Sequence, residues 1–432
     1  MAHIRTRART LIGLILAGAG VLAASACSEA ISAPERKITL TVDTFGKFGY
    51  DELFRQYERS HPGVTVKSRA VENLDAYWPK LNVYLAAGSG AGDVVAMEEG
   101  VMPFYKGQQE SFVDLAQFGA GRMKADFLPW KWGQGTLDNG KVVGLGTDIG
   151  GLAMCYRKDL FAKAGLPTDR DEVSKLWPTW DAFRQTGLRF KAANTGAAFV
   201  DSPDQILTAA MSQAAAANNN VTYFDRQDNL IIETSPAVKT AWAEATSVVA
   251  AGLTSRVVTW TDAWHAGFRD GTFATTACPS WMLGIIEDSA GPQTKDKWDV
   301  AAIPGGGGNW GGSFLAVPVQ SKHQREAADL AMFLTSPASH VAAFKAVGAL
   351  PSDVKSLKDP EFLALTNPYF GNAPVGRIFG EGALAIQPMY VAVRHRPVAE
   401  ATQAALDDYV AGKINAEAAW QQAVAAAKRK AI

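Results

Sequence analysis

Three tryptophans sit where a chain tends to present side chains rather than pack them. Trp264 lies close to Gly267, Trp281 follows Cys278-Pro279, and Trp310 stands in the run Gly306-Gly307-Gly308-Asn309-Trp310-Gly311. An indole offers a flat apolar face with one N–H at its edge. That face suits the C–H side of a pyranose ring whose hydroxyls are met by polar neighbours. Each such platform contributes roughly 1–2 kcal/mol, at about 25 cal/mol per Å² of apolar surface removed from water. The chain has 12 tryptophans, and others read differently. Trp242 and Trp420 fall at helical spacing among alanine and valine and read as core, and Trp180 in Pro178-Thr179-Trp180 reads as a helix-entry anchor.

Patterns that would support catalysis are missing from the sequence. It contains no His-Glu-x-x-His, no Gly-x-Ser-x-Gly elbow and no Walker loop. Residues Gly306 to Gly311 formally match Gly-x-Gly-x-x-Gly, but they lead into Ser313-Phe314-Leu315-Ala316-Val317, which reads as a strand, so a dinucleotide site fails on context. The six histidines are scattered without metal-ligand spacing. No metal and no cofactor is expected.

The elements that must position the aromatics alternate in type. Ile38 to Val42 and Val64 to Val66 read as strands, Asp51 to Ser60 and Leu74 to Ala87 as helices, and Asp93 to Met97 as a third strand. This is the pattern of an α/β lobe with a largely parallel sheet. The middle is richer in helix: Lys158 to Ala164, Trp180 to Asn194, and a stretch opened by Ser235-Pro236 and closed at Gly252. Strands return at Phe273–Ala277, Val300–Ile303 and Ser313–Val317, followed by helices Gln324 to Leu334 and Pro337 to Val347 and an alanine-rich helical tail broken at Gly412.

Arg5, Arg7 and Arg9 precede an apolar run from Leu11 to Ala26 that ends in Ala24-Ser25-Ala26-Cys27. A basic start, a short apolar core and small residues describe a secretory signal over residues 1–26. Cys27 directly after them is the lipobox arrangement, so lipidation of Cys27 and a polar tether over 27–37 are expected; an ordinary cleaved signal is the alternative. The expected location is the outer face of the cell membrane, held by lipid alone. With 42 basic and 43 acidic side chains and a formal net charge of −1, no basic face for nucleic acid emerges. The remaining cysteines, Cys155 and Cys278, both fall in strand-like contexts and form either a disulfide or two buried thiols.

Taken in order, these pieces resemble the family-1 extracellular solute-binding lipoproteins of sugar-importing ABC transporters. The resemblance rests on the lipobox, Thr44-Phe45-Gly46-Lys47-Phe48-Gly49-Tyr50, Leu85 to Gly90 before Asp93-Val94-Val95, Gly150 to Phe161, Pro178-Thr179-Trp180, Cys278 to Gly284, Gly311-Gly312-Ser313 and Gly412-Lys413. It implies an α/β fold of two discontinuous lobes, a type II periplasmic-binding-protein arrangement with a hinge and an interlobe cleft. The lobes are expected over 38–147 plus 314–365 and 148–313 plus 366–432, with crossings near 146–149, 312–314 and 365. The resemblance assigns ligand contacts to Phe45, Lys47 and Phe48 after the first strand, Glu98 and Glu99 at the end of the third, Asp148 at the first crossing, and Trp281 and Tyr390 as platforms. Trp264 and Trp310 join them by context. It further implies a monomer that gives an oligosaccharide, a di- or trisaccharide such as cellobiose, to permease subunits. A surface-anchored carbohydrate-active enzyme and a binder of a non-sugar solute are the alternatives. The segment Ala214 to Asn220 departs from the family's glycine-rich pattern there.

Overall fold

The computed structural model describes residues 37–432. The expected signal sequence, Cys27 and most of the expected tether lie outside the described residues. Among the described residues, nine strands form one connected set: β1 (Ile38–Phe45), β2 (Val64–Val71), β3 (Val94–Glu98), β4 (Leu145–Arg157), β5 (Ala198–Val200), β6 (Phe273–Pro279), β7 (Trp298–Ala301), β8 (Asn309–Ala316) and β9 (Leu350–Pro351). Their order is β2-β1-β3-β8-β4-β6-β5, with β7 and β9 also on β4. β1 runs parallel to β2 and β3, and β8 lies antiparallel to β3 and β4.

β4 organises the molecule. Its first half, to Gly151, pairs with β8 and β9, and its second half, from Leu152, lies between β6 and β7. All of its residues are buried, which its near-continuous run of small and apolar residues permits. Successive side chains point to opposite faces, so Leu152, Met154 and Tyr156 enter one core with Phe161, Phe183 and Phe199. Ala153 and Cys155 enter another with Phe268, Phe273 and Trp298. The same alternation divides β1, β3 and β8: Leu40, Val42, Ala96 and Leu315 pack on Leu53 and Leu330, while Val95, Met97 and Phe314 pack on Tyr77 and Met102.

The helices follow their caps. Thr179 accepts from Ala182 N–H and opens Trp180–Ala192, and Ser235 accepts from Val238 N–H to open Pro236–Ala250. The buried Trp180 packs in the core as an anchor, and the Trp242 and Trp420 rings meet there at 5.5 Å. The helix Pro203–Ala216 carries the same serine-proline signature at Ser202-Pro203.

Cys155 and Cys278 are joined as a disulfide, with Cα atoms 5.8 Å apart. Cys155 is registered against Thr276 and Cys278 against Ala153, so the sulfurs meet diagonally across one face of neighbouring strands.

Two glycines let β4 and β8 approach where pairing changes hands. A Cβ on Gly150 would lie 1.8 Å from the Trp310 carbonyl oxygen. At Gly312, φ is +128° and a Cβ would lie 2.5 Å from the Asp148 carbonyl oxygen. Only glycine meets both requirements.

Candidate functional site

The start of β8 and the turn after β6 bring aromatic rings into a row. Trp310, on β8, meets Trp281 with centroids 5.6 Å apart and planes at 62°. Trp281, just after β6, meets Trp260 at 6.2 Å with planes only 24° apart. Trp281 and Trp310 are half-buried against the core, while Trp260 is 49% exposed. Trp264 differs from the expectation of a ligand contact. It is fully buried in the core beneath Trp260, and its indole N–H donates to Asp201 Oδ2 at 3.0 Å. Helical spacing explains the difference: in Asp262–Asp270, Trp264 shares the inward face with Gly267 and Phe268.

Glu98 ends β3, registered against Ser313 of β8. Its Oε2 accepts from Gly100 N–H at 2.7 Å, and its Oε1 points toward Gly311, where a Cβ would lie 3.7 Å away. Burial pushes its carboxyl up to about 7, against the pull of the Gly100 N–H and the Arg396 guanidinium. Glu99 has a different role from a free hydroxyl acceptor. Its two oxygens accept from Lys131 Nζ at 3.0 Å, Gln134 Nε2 at 3.1 Å and Asn309 Nδ2 at 3.1 Å. This network ties the start of β8 to β3 and the helix Pro129–Gly135. Asp148 is buried beside it and accepts from Thr147 Oγ1 at 2.6 Å. Burial raises its carboxyl above the ordinary value despite Lys131.

The remaining predicted contacts spread outward. Phe45 and Phe48 are half-buried, edge to face at 5.3 Å, and continue into Tyr50 and Tyr77. Lys47 is exposed and pairs with Asp288, on the helix Met282–Ala290, at 2.5 Å. Tyr390 is held apart from the row: its N–H donates to the Asn220 carbonyl at 2.6 Å and its hydroxyl to Asp228 at 2.7 Å.

Trp78, Trp260 and Arg396 belong to the site's surroundings but escape the sequence reading. Trp78 sits on the helix Leu74–Ala87, with a buried indole N–H that lacks a hydrogen-bond partner among the described residues, and Arg396 lies over its ring at 5.3 Å. Arg396 also pairs with Asp75 at 2.5 Å and Glu400 at 2.7 Å. Trp260, in Thr259-Trp260-Thr261, lacks the flanking glycine or proline that singles out Trp281 and Trp310. Trp78 at helical spacing looks like core, and nothing in sequence marks Arg396.

The profile of the bacterial extracellular solute-binding proteins matches residues 52–367. The chain belongs to that family. Among its relatives, the arabinooligosaccharide-binding protein of Bacillus subtilis (strain 168) is 26% identical over 344 residues, 75% of this chain and 73% of that protein. A crystal structure described as an extracellular solute-binding protein of family 1 is 41% identical, with a TM-score of 0.80 over 91% of this chain and 100% of the other. The ABC transporter associated binding protein from B. animalis subsp. lactis Bl-04, solved with beta-1,6-galactobiose, shares the fold at a TM-score of 0.75 and 23% identity, over 92% of this chain and 99% of that one. These extracellular solute-binding proteins are binders, not enzymes. The α/β two-lobed architecture follows, with β4 common to both halves. No helix among the described residues is long and apolar enough to cross a membrane.

Proposed function

We propose that the chain is the substrate-binding subunit of a sugar-importing ABC transporter, capturing a short oligosaccharide and handing it to membrane permease subunits. The row Trp310–Trp281–Trp260, with the Glu98 carboxyl beside the neighbouring Gly311, carries this reading. Flat indoles cover the apolar ring faces, and the carboxylate accepts from hydroxyls. A di- or trisaccharide matches the extent of the row. Cellobiose and arabino-oligosaccharides are the first to try, the latter because a relative that binds them aligns over most of its length.

In this reading one lobe carries β1, β2, β3 and β8, and the other β5, β6, β7 and the second half of β4. The chain passes between them at Gly150-Gly151, near Asn309, and at β9, ahead of residue 365. After β9, Phe362, Tyr369 and Phe379 pack with Phe268 and Trp298, which supports the earlier crossing. Sugar touching both lobes shifts them toward closure only by its differential affinity for the closed form. Anchoring through a lipid on Cys27 and action as a monomer complete the proposal.

The test is a tryptophan-fluorescence and calorimetric titration with arabino-, galacto-, xylo-, cello- and malto-oligosaccharides, followed by chromatography of the sugar. Saturable binding with the sugar recovered intact supports the reading. Cleaved sugar, or no response to any series, overturns it.

A further inference from the structure

Trp260 is the outlier of the aromatic row. Its φ is +66°, a left-handed backbone that a bulky L-residue adopts only against its steric preference. Arg256, in the same loop, has φ +61°. Such conformations persist where the surroundings hold them, and here they do. Thr259 donates its hydroxyl to Asp204 at 3.1 Å on one side of Trp260. On the other, Thr261 donates its hydroxyl to the Val258 carbonyl at 2.7 Å and caps the next helix by accepting from Trp264 N–H. The loop thus keeps a large apolar ring half in water, nearly parallel to Trp281 and resting on the buried Trp264.

We infer that Trp260 is the outer platform for a third sugar unit, so that the site discriminates by chain length and favours trisaccharides and longer over disaccharides. This rests on the oligosaccharide reading above and deepens it. The row has an inside and an outside. Trp310 turns at 62° to Trp281, and the Glu98 carboxyl lies beside the next residue, Gly311, so polar groups stand near that end of the row. At the other end Trp260 stands nearly parallel to Trp281 at 6.2 Å and is 49% exposed, so further units leave toward solvent. Core packing does not account for an indole that is half exposed in a strained backbone, whereas a sugar ring laid across it would cover the apolar face.

The experiment is calorimetry on the purified full-length chain, with arabino-, galacto-, xylo-, cello- and malto-oligosaccharides of one to four units. Parent, Trp260→Gly and Trp260→Phe are compared, with thermal unfolding of each. Glycine accepts the positive φ without strain, which offsets part of the packing lost against Trp264, so Trp260→Gly should still unfold in one cooperative transition, at or somewhat below the parent's temperature. In whichever series binds, the parent should gain roughly tenfold in affinity from two units to three. Trp260→Gly should lose that gain while its two-unit affinity stays within about twofold, and Trp260→Phe should keep part of it. A gain that persists in Trp260→Gly, or an equal loss at two units and three, overturns the inference and leaves the sugar reading standing. Failure of every series to bind the folded parent overturns both.

Discussion

Lys131 holds its ammonium 3.0 Å from the Glu99 carboxylate, with the whole lysine side chain shut off from solvent. The Phe314 ring lies 4.1 Å from the same nitrogen. A charge so placed has lost its hydration and depends on its partner. Removing one member of such a pair costs about 3–5 kcal/mol, because the other stays buried and uncompensated. Lys131→Met should therefore lower the urea midpoint sharply, and Lys131→Met with Glu99→Gln should recover part of the loss. A single variant as stable as the parent would show that the pair is not what holds this junction together.

Glu98 predicts a pH dependence with a definite sign. Its carboxyl rises from an ordinary 4.5 to about 7 on folding, chiefly through burial. Between those values the folded protein holds a proton that the unfolded chain has released, so stability falls as pH rises through that window. Glu98→Gln lacks this loss. It should match the parent near pH 4 and exceed it above pH 7 by about 1–2 kcal/mol, after screening by the solvent that still reaches the group. Denaturant titrations at both ends of the range read this difference directly; a constant offset between the two proteins would count against it.

The Cys155–Cys278 bridge spans a sequence separation of 123 residues. Constraining so long a loop in the unfolded chain stabilises the fold by about 5 kcal/mol in the chain-entropy model, less any strain. Cys155→Ala with Cys278→Ala should unfold at markedly lower denaturant while the native far-ultraviolet spectrum is kept. Reduction of the parent should produce a similar drop.

Gly150→Ala places a methyl group where the Trp310 carbonyl already stands, at 1.8 Å. Backbone must move, and Trp310 moves with it. The variant should melt lower and bind sugar at least several-fold more weakly, as reorientation of one platform in a shared row requires. Unchanged sugar affinity in a destabilised variant would separate the junction from the site.

The sequence made the alternating elements and their caps legible because period and capping are local. The strands through Ile38, Val64 and Val94 and the helix opened by Ser235-Pro236 fall where periodicity puts them. What local pattern could not reveal was partnership. Trp264 and Trp310 look equally free in sequence, yet one packs beneath the other's row because the helix Asp262–Asp270 turns it inward. Glu98 and Glu99 are neighbours, yet the strand ends at the first and a 3-10 turn begins at the second, so one lies beside Gly311 and the other pairs with Lys131. Arg396 is far in sequence from Asp75 and Trp78, so its place depends on tertiary packing alone.

The sharing of β4 between two sets of partners has a consequence for protein engineering. A circular permutant or split reporter cut inside Leu145–Arg157 would sever one strand and leave two fragments, each presenting a raw sheet edge. Such fragments should self-associate rather than reassemble. New termini belong instead at the turn around Gly412, where helices His395–Val410 and Ala416–Lys430 meet in solvent and no strand is broken.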